Sequence, residues 1–253
     1  MTGSASGIGA ATASLLRRQG CHVIGSDLHE ADVVADLTTT DGRAALVRGV
    51  SRLAGGRIDA VVANAGGGPP ETSLALNFFG AVATLEGLRP LLENSPAPRA
   101  VAVSSIASIG STPTELAEQC LEMDEPGAIA AARTAFEHGG QTAVTLYATA
   151  KQALQNWCRR VAPTQEWAGM GITLNVVALG FYDTPAAAYV LSNPTLRASM
   201  AARVPLRGAF PGRPEEAAAL LAWCISPENS QMTGQVLFAD AGYEVQLRKD
   251  RVA

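Results

Sequence analysis

The sequence predicts an α/β chain: one doubly wound parallel sheet with helices on both faces. Three observations predict it. Short β-branched apolar runs alternate with Ala-rich segments of helical spacing. A glycine-rich loop opens the first of those segments. Of the 253 residues, 47% are apolar, enough to bury a sheet on both faces. No repeat or low-complexity linker divides the chain, so residues 1–253 read as a single domain, near the upper size for one core.

The apolar runs place strands at residues 21–26, 32–35, 58–63, 100–104, 172–178 and 235–239. Helices are expected from about Ile8, Gly42, Thr72, Thr142, Thr184 and Pro214. The last opens as a helix should, with Pro214 at the first position and Glu215 and Glu216 in the first turn. One strand is short of residues. A dinucleotide-type loop follows a buried strand, yet here the loop begins at Thr2 with Met1 alone ahead of it. The first strand therefore reads as truncated, and the reading expects the true start upstream. Without that strand its two neighbours lose backbone partners, at roughly 1–3 kcal/mol for each buried unpaired group.

The net charge of −4 is modest and the Lys and Arg residues are scattered, which argues against a nucleic-acid or membrane partner and for a small-molecule one. Cys21, Cys120, Cys158 and Cys224 lie far apart with no CxxC or Cys/His spacing, so neither a metal site nor a disulfide framework is expected. No signal segment and no membrane-length apolar run stands in the sequence, and a cytoplasmic protein with reduced thiols is the expectation.

The loop Thr2-Gly3-Ser4-Ala5-Ser6-Gly7-Ile8-Gly9 puts glycines where backbone must turn tightly against a pyrophosphate. It then opens a helix whose first amides face the anion. Eighteen residues after Gly9, Asp27 ends the next apolar run, where a carboxylate accepts from adenosine ribose hydroxyls and repels a 2′-phosphate. With no Lys or Arg between Gly3 and Gly9, NAD is preferred over NADP. The plain alternatives are a ligand-free glycine turn and, for Asp27, a solvated carboxylate or helix cap.

In this order, the TGxxxGIG loop, Asn64-Ala65-Gly66, Ser104-Ser105, Tyr147-Ala148-Thr149-Ala150-Lys151 and the late Asp240-Ala241-Gly242 turn resemble the short-chain dehydrogenase/reductase family over nearly the whole chain. The resemblance implies a Rossmann-type fold and hydride transfer between nicotinamide and a secondary alcohol or ketone. Spacing alone puts Tyr147 and Lys151 on one helix face, where an ammonium and an oxidised nicotinamide both favour phenolate. By the family pattern Tyr147 exchanges the proton with the substrate oxygen, Lys151 also holds the nicotinamide ribose, and Ser105 donates to that oxygen. Asn77 matches a family asparagine at a helix irregularity that holds a relay water; otherwise it is a polar residue in a packed helix. The Asn64-Ala65-Gly66 turn lies beside the cofactor, as do Gly180 and Thr184. Two departures stand out: Leu179 replaces a proline, which is expected to loosen the start of the loop after it, and Ala241 replaces a glycine, which reads as tolerated.

Between Ser105 and Tyr147 some forty residues intervene, an insertion at about 111–141 with helices expected at 114–123 and 128–138. The insertion, the Asp36-Leu37 pair beside the cofactor, and the overall spacing are most similar to the bacterial 3α-hydroxysteroid dehydrogenase/carbonyl reductase branch. That similarity implies a 3-hydroxysteroid or other bulky carbonyl compound, covered by a substrate loop at about 181–205. Tyr182, Tyr189, Leu191 and Met200 would supply apolar contact there, or else plain helix packing. A small alcohol, a hydroxyacyl group, or a catalytically silent NAD-binding module are the alternatives. A homo-oligomer, a dimer by preference, is expected, with the inserted helices as one candidate interface.

Overall fold

The computed structural model describes residues 1–110, 112–137, 139 and 142–249. Strands β1 (Ser26–Asp27) and β2 (Val33–Val34) pair in parallel; β3 (Ala60–Ala63), β4 (Arg99–Ser105), β5 (Thr173–Leu179) and β6 (Val236–Ala239) form a four-stranded parallel sheet in that order. Met1 and Thr2 stand between the two groups. The Met1 carbonyl accepts from the Ser26 amide (2.8 Å), and the Thr2 amide donates to the Val62 carbonyl (3.1 Å). The ladder on that side therefore begins late. Residues 21–25, expected as strand, lie outside β1, whose neighbours Met1–Thr2 and Val33–Val34 offer only short partners.

Successive side chains of a strand point to opposite faces, and the core divides accordingly. Val61, Ala63, Ala100, Ala102, Leu174 and Val176 join one buried cluster with α2 (Thr40–Ala54), α3 (Ala81–Leu92) and α6 (Ala143–Val161). Val62, Val101, Val103, Val177 and Leu179 join the other, against α1 (Gly7–Arg18) and α9 (Pro214–Cys224). Helices thus cover both faces, as expected.

Local chemistry sets the helix ends. Thr39 Oγ1 accepts from the Gly42 amide (3.0 Å) to start α2, and Thr142 Oγ1 accepts from Thr145 (3.1 Å) to start α6. The helix expected from Thr72 is not uniform: a 3₁₀ turn (Pro70–Thr72) leads to a π-helical turn (Ala75–Gly80) before α3. The inserted helices are α4 (Thr114–Leu121) and α5 (Glu125–Glu137). α5 starts three residues before the expected 128 because Asp124 accepts from the Gly127 amide (3.1 Å) and Pro126 suits a first turn; the expected end at His138 lies outside the described residues. The helix expected from Thr184 is broken into a 3₁₀ turn (Pro185–Ala187), α7 (Ala188–Ser192) and α8 (Pro194–Ala201), with Asn193 capping α8 and Pro194 unable to continue α7. A short helix, α10 (Tyr243–Leu247), follows β6. Among the described residues no helix is long and apolar enough to cross a membrane.

Candidate active site

The strand ends and the loops that follow them open into one cavity of about 790 Å³, the size range of a cofactor-plus-substrate cleft. Its floor is the glycine-rich loop. A Cβ on Gly9 would fall 1.7 Å from the Gly3 carbonyl oxygen, and one on Gly3, at φ +66°, would fall 2.9 Å from Ala65 Cα. Glycine is therefore dictated by loop packing as well as by the approach of a ligand. Gly3, Ser6, Gly7, Ile8 and Gly9 line the cavity. Ser6, the N-cap residue of α1, makes no side-chain cap bond, so the first-turn amides stay open to an anion. Ser4 and Ala5 do not line the cavity: the Ser4 amide donates to Ser26 (3.2 Å) and the Ala5 amide to Asp27 Oδ2 (2.9 Å).

Asp27 holds the loop from its far side, accepting also from the Leu28 amide (2.8 Å), while its carboxylate lines the cavity. Asp36 and Leu37 lie next to it, Asp36 Oδ1 accepting from the Thr38 amide (2.9 Å) and hydroxyl (2.7 Å). The Asn64-Ala65-Gly66 turn is tied to the loop. Asn64 Nδ2 donates to the carbonyls of Thr2 (3.1 Å) and Gly3 (3.2 Å), and Thr2 Oγ1 accepts from the amides of Asn64 and Ala65 (3.1 Å each).

At the other end, β4 and α6 bring the predicted reacting groups together. Ser104 Oγ points to α6, donating to the Lys151 carbonyl (3.0 Å), whereas Ser105 Oγ accepts from the Ala107 amide (3.2 Å) and is within hydrogen-bonding reach of the Tyr147 phenol. Lys151, 2% exposed, donates from Nζ to the Val103 carbonyl (2.9 Å) and lies 5.7 Å from the Tyr147 ring centre. The direction of the Tyr147 shift differs from the sequence-based expectation. Burial pushes the Tyr147 phenol above its usual 10, opposed by the hydrogen bond to Ser105, and burial lowers the Lys151 ammonium to about 8. Desolvation outweighs the pair's mutual influence, because both groups leave water when α6 docks on β4.

Asn77 does not line the cavity. Fully buried in the π-helical turn, it accepts from the Gly67 amide (2.9 Å) and donates to the carbonyls of Gly67 (3.0 Å) and Ser73 (2.9 Å). Its Oδ1 and Lys151 Nζ flank Gly66, where a Cβ would sit 2.9 Å and 3.0 Å from them. Gly180 and Thr184 line the cavity wall, and the Thr184 methyl lies against Gly7, 3.2 Å from where its Cβ would be.

The two departures sit differently in the structure. Leu179 is the last residue of β5, paired with Ser105 on one side and Ala239 on the other, in a ladder where a proline would bring no N–H. Ala241 has φ +56°, the left-handed conformation that costs an L-residue roughly 1–2 kcal/mol, so it is strained rather than simply tolerated. In the substrate segment Tyr182 and Met200 line the cavity, but Tyr189 is 76% exposed, and neither it nor Leu191 lines it; Val190 does. The Tyr182 hydroxyl donates to the Ala239 carbonyl (3.0 Å), and burial, with the Glu216 and Asp240 charges, pushes its pKa up to about 12. Sequence reasoning missed Ile106, Val144, Arg203, Tyr243 and Leu247, all in the lining. Val144 carried a signal in its spacing: it stands three residues before Tyr147 on α6, hence on the same helix face.

A glycine floor at a helix start, an acidic residue after the next strand, and a Ser, Tyr and Lys gathered at the end of a parallel sheet define a nucleotide-dependent oxidoreductase of the Rossmann type. The family model described as enoyl-(acyl carrier protein) reductase matches residues 3–244, and the chain belongs to the short-chain dehydrogenase/reductase family, acting on CH–OH groups. It is 34% identical to the 3-alpha-hydroxysteroid dehydrogenase/carbonyl reductase of Comamonas testosteroni, over 98% of this chain and 96% of that protein. Identity to the cis-4-hydroxycyclohexanecarboxylate dehydrogenase of Sinomonas cyclohexanicum is 33%, over 96% and 94%. Among solved structures, the 3-alpha-hydroxysteroid dehydrogenase from Pseudomonas sp. B-0831 complexed with NADH superimposes with a TM-score of 0.88 at 38% identity, covering 99% of this chain and 98% of that one.

Proposed function

We propose that the chain interconverts a 3-hydroxysteroid, or a comparably bulky apolar secondary alcohol, and its ketone, with NAD as hydride carrier. The observation that carries the reading is one cavity with Ser105 and Tyr147 at one end and the Asp27 carboxylate at the other. The residues fit a dinucleotide: the uncapped first turn of α1 takes the pyrophosphate, and Asp27 accepts from ribose hydroxyls while repelling a 2′-phosphate. The relative solved with NADH agrees with that choice. Held there, a nicotinamide would supply the acceptor for hydride in oxidation of the carbinol carbon and the donor in reduction of the ketone.

The chain's own groups manage the proton. In oxidation Tyr147 Oη takes the proton of the substrate hydroxyl as the carbinol C–H bond breaks, and in reduction it gives that proton back. Ser105 Oγ donates to the substrate oxygen, stabilising charge that develops there. The Lys151 ammonium favours phenolate and holds the nicotinamide ribose. Asn77 fixes Gly67 and the floor beneath Lys151 through its buried amide. Ile106, Val144, Val190, Met200 and Leu247 present the apolar surface a polycyclic substrate needs.

NADH formation across 3α- and 3β-hydroxysteroids and simple secondary alcohols, beside Tyr147→Phe, tests the reading. Steroid turnover abolished by Tyr147→Phe is the expected result; NAD binding without turnover of any alcohol would favour a silent binding module. Arg203 supports a second reading. Its guanidinium lines the same cavity and donates to the Tyr243 hydroxyl (3.2 Å), placing a cation where a carboxylate-bearing alicyclic alcohol would end. Preference for cis-4-hydroxycyclohexanecarboxylate over its methyl ester, lost in Arg203→Met, would establish it.

A further inference from the structure

We infer that Arg43 and Glu125 form a positioning pair through which the inserted helices hold the adenosine end of the dinucleotide site. Arg43 sits in the first turn of α2 and is 9% exposed, an unusual place for a guanidinium. Four of its five N–H donors are used. Nε donates to the Leu37 carbonyl (2.8 Å), Nη2 to the Ala75 carbonyl (2.8 Å), and Nη1 and Nη2 grip Glu125 Oε2 (2.5 Å) and Oε1 (2.6 Å). Three separate pieces of chain meet at this one cation: the loop after β2, the start of the π-helical turn, and the first residue of α5.

The two carbonyls belong to backbone that lines or supports the site. Asp36, Leu37 and Thr38 line the cavity beside Asp27. Ala75 begins the turn that carries Asn77, whose amide holds Gly67. Loop and turn also touch directly, since a Cβ on Gly80 would lie 2.9 Å from the Leu37 carbonyl oxygen and 3.2 Å from that of Ala75. Glu125 reaches none of this itself. Its part is to neutralise the cation: a buried guanidinium deprived of its carboxylate is an uncompensated charge, and it regains water only by leaving the two carbonyls it holds. The Leu37 loop would then lose its fixed position, while Tyr147, Ser105 and Lys151, which share no hydrogen bond with Arg43, Glu125, Leu37 or Ala75 and are held by β4 and α6, keep theirs.

The inference rests on the dinucleotide reading, and the test separates the two. Glu125→Ala and Glu125→Gln are compared with wild type for competitive binding of AMP and of nicotinamide mononucleotide, for KM of NAD, and for kcat at saturating NAD, with circular dichroism to establish folding. Glu125→Ala is expected to weaken AMP and raise KM for NAD by about tenfold, and Glu125→Gln, which keeps one acceptor oxygen, by about threefold. Nicotinamide mononucleotide binding and kcat should stay within about twofold of wild type, a split that general loss of structure would not give. Unchanged AMP affinity in a folded variant overturns the inference, as does a parallel loss of AMP, mononucleotide and kcat. Should Glu125→Ala not fold, Glu125→Gln decides alone. Wild-type protein that binds neither AMP nor NADH would instead refute the dinucleotide reading itself, and this inference with it.

Discussion

Replacing Lys151 by Met should make the cofactor-free protein more stable while removing its activity. The lysine is 2% exposed and donates a single described hydrogen bond, to the Val103 carbonyl. Its pKa falls from the ordinary 10.5 to about 8, and desolvation is the cause. At about 1.4 kcal/mol for each tenfold change in proton affinity, holding the cation costs the fold about 3 kcal/mol at neutral pH. Met fills a similar volume without charge, and the Val103 carbonyl it leaves without that donor gives back about 1 kcal/mol. A net gain of about 2 kcal/mol remains, worth roughly 4–8 °C in a chain of this size.

The sign of the pH dependence is fixed by the same shift. Below pH 8 the lysine is protonated in both states and the penalty is complete. Between 8 and 10.5 the unfolded chain holds more protons than the folded one, so wild-type stability rises with pH and the advantage of Lys151→Met shrinks toward zero. Urea unfolding of both proteins at pH 7 and at pH 10, read as a difference so that other titrating groups cancel, measures this. A variant no more stable than wild type at pH 7, or an advantage unchanged at pH 10, would show that the buried ammonium is not the strained element the structure makes it.

Three further outcomes are expected. Ala241→Gly should raise stability by about 0.5–1 kcal/mol, since φ +56° costs alanine more than glycine's extra chain entropy gives back, and thermal melts will report it. Asp27→Asn should reduce the preference for NAD over NADP by at least about tenfold in kcat/KM, since it removes the charge a 2′-phosphate would meet; equal ratios before and after would contradict the assignment. Because burial raises the Tyr147 pKa and the proposed mechanism uses its phenolate in alcohol oxidation, oxidation at limiting NAD should climb with pH through the range 7 to 9 while ketone reduction does not, a contrast that pH profiles in both directions check.

What the sequence made legible is what short-range spacing determines. Tyr147 and Lys151 share a face because they are four residues apart on α6, and the glycine loop is recognisable because its backbone cannot carry a Cβ at Gly3 or Gly9. The strands were placed nearly where they stand, since β-branched runs report burial on both faces. The ends of β1 were not, because a ladder is as long as its partner and the partner is a distant piece of chain. The π-helical turn was legible only through the family resemblance, which puts Asn77 at a helix irregularity: Ala75–Gly80 has ordinary helical composition, and its irregularity goes with Gly80 meeting Leu37 and Asn77 reaching Gly67.

The direction of the Tyr147 shift shows the limit most clearly. Spacing correctly puts a cation beside the phenol, and charge alone then lowers its pKa. Spacing says nothing of depth, and at the depth that α6 reaches against β4 desolvation exceeds the attraction, raising the phenol and lowering the ammonium together. The cost to the fold lies with Lys151, which is held as a buried cation below pH 8, whereas the Tyr147 phenol stays neutral in the cofactor-free protein and carries none. A positively charged nicotinamide would favour the phenolate, and only a bound substrate hydroxyl supplies a proton for it to take. Such a site spends stability to keep its base unready until both ligands arrive. Loss of that cost in Lys151→Met, measured without any ligand present, would therefore report on catalysis from the folding side.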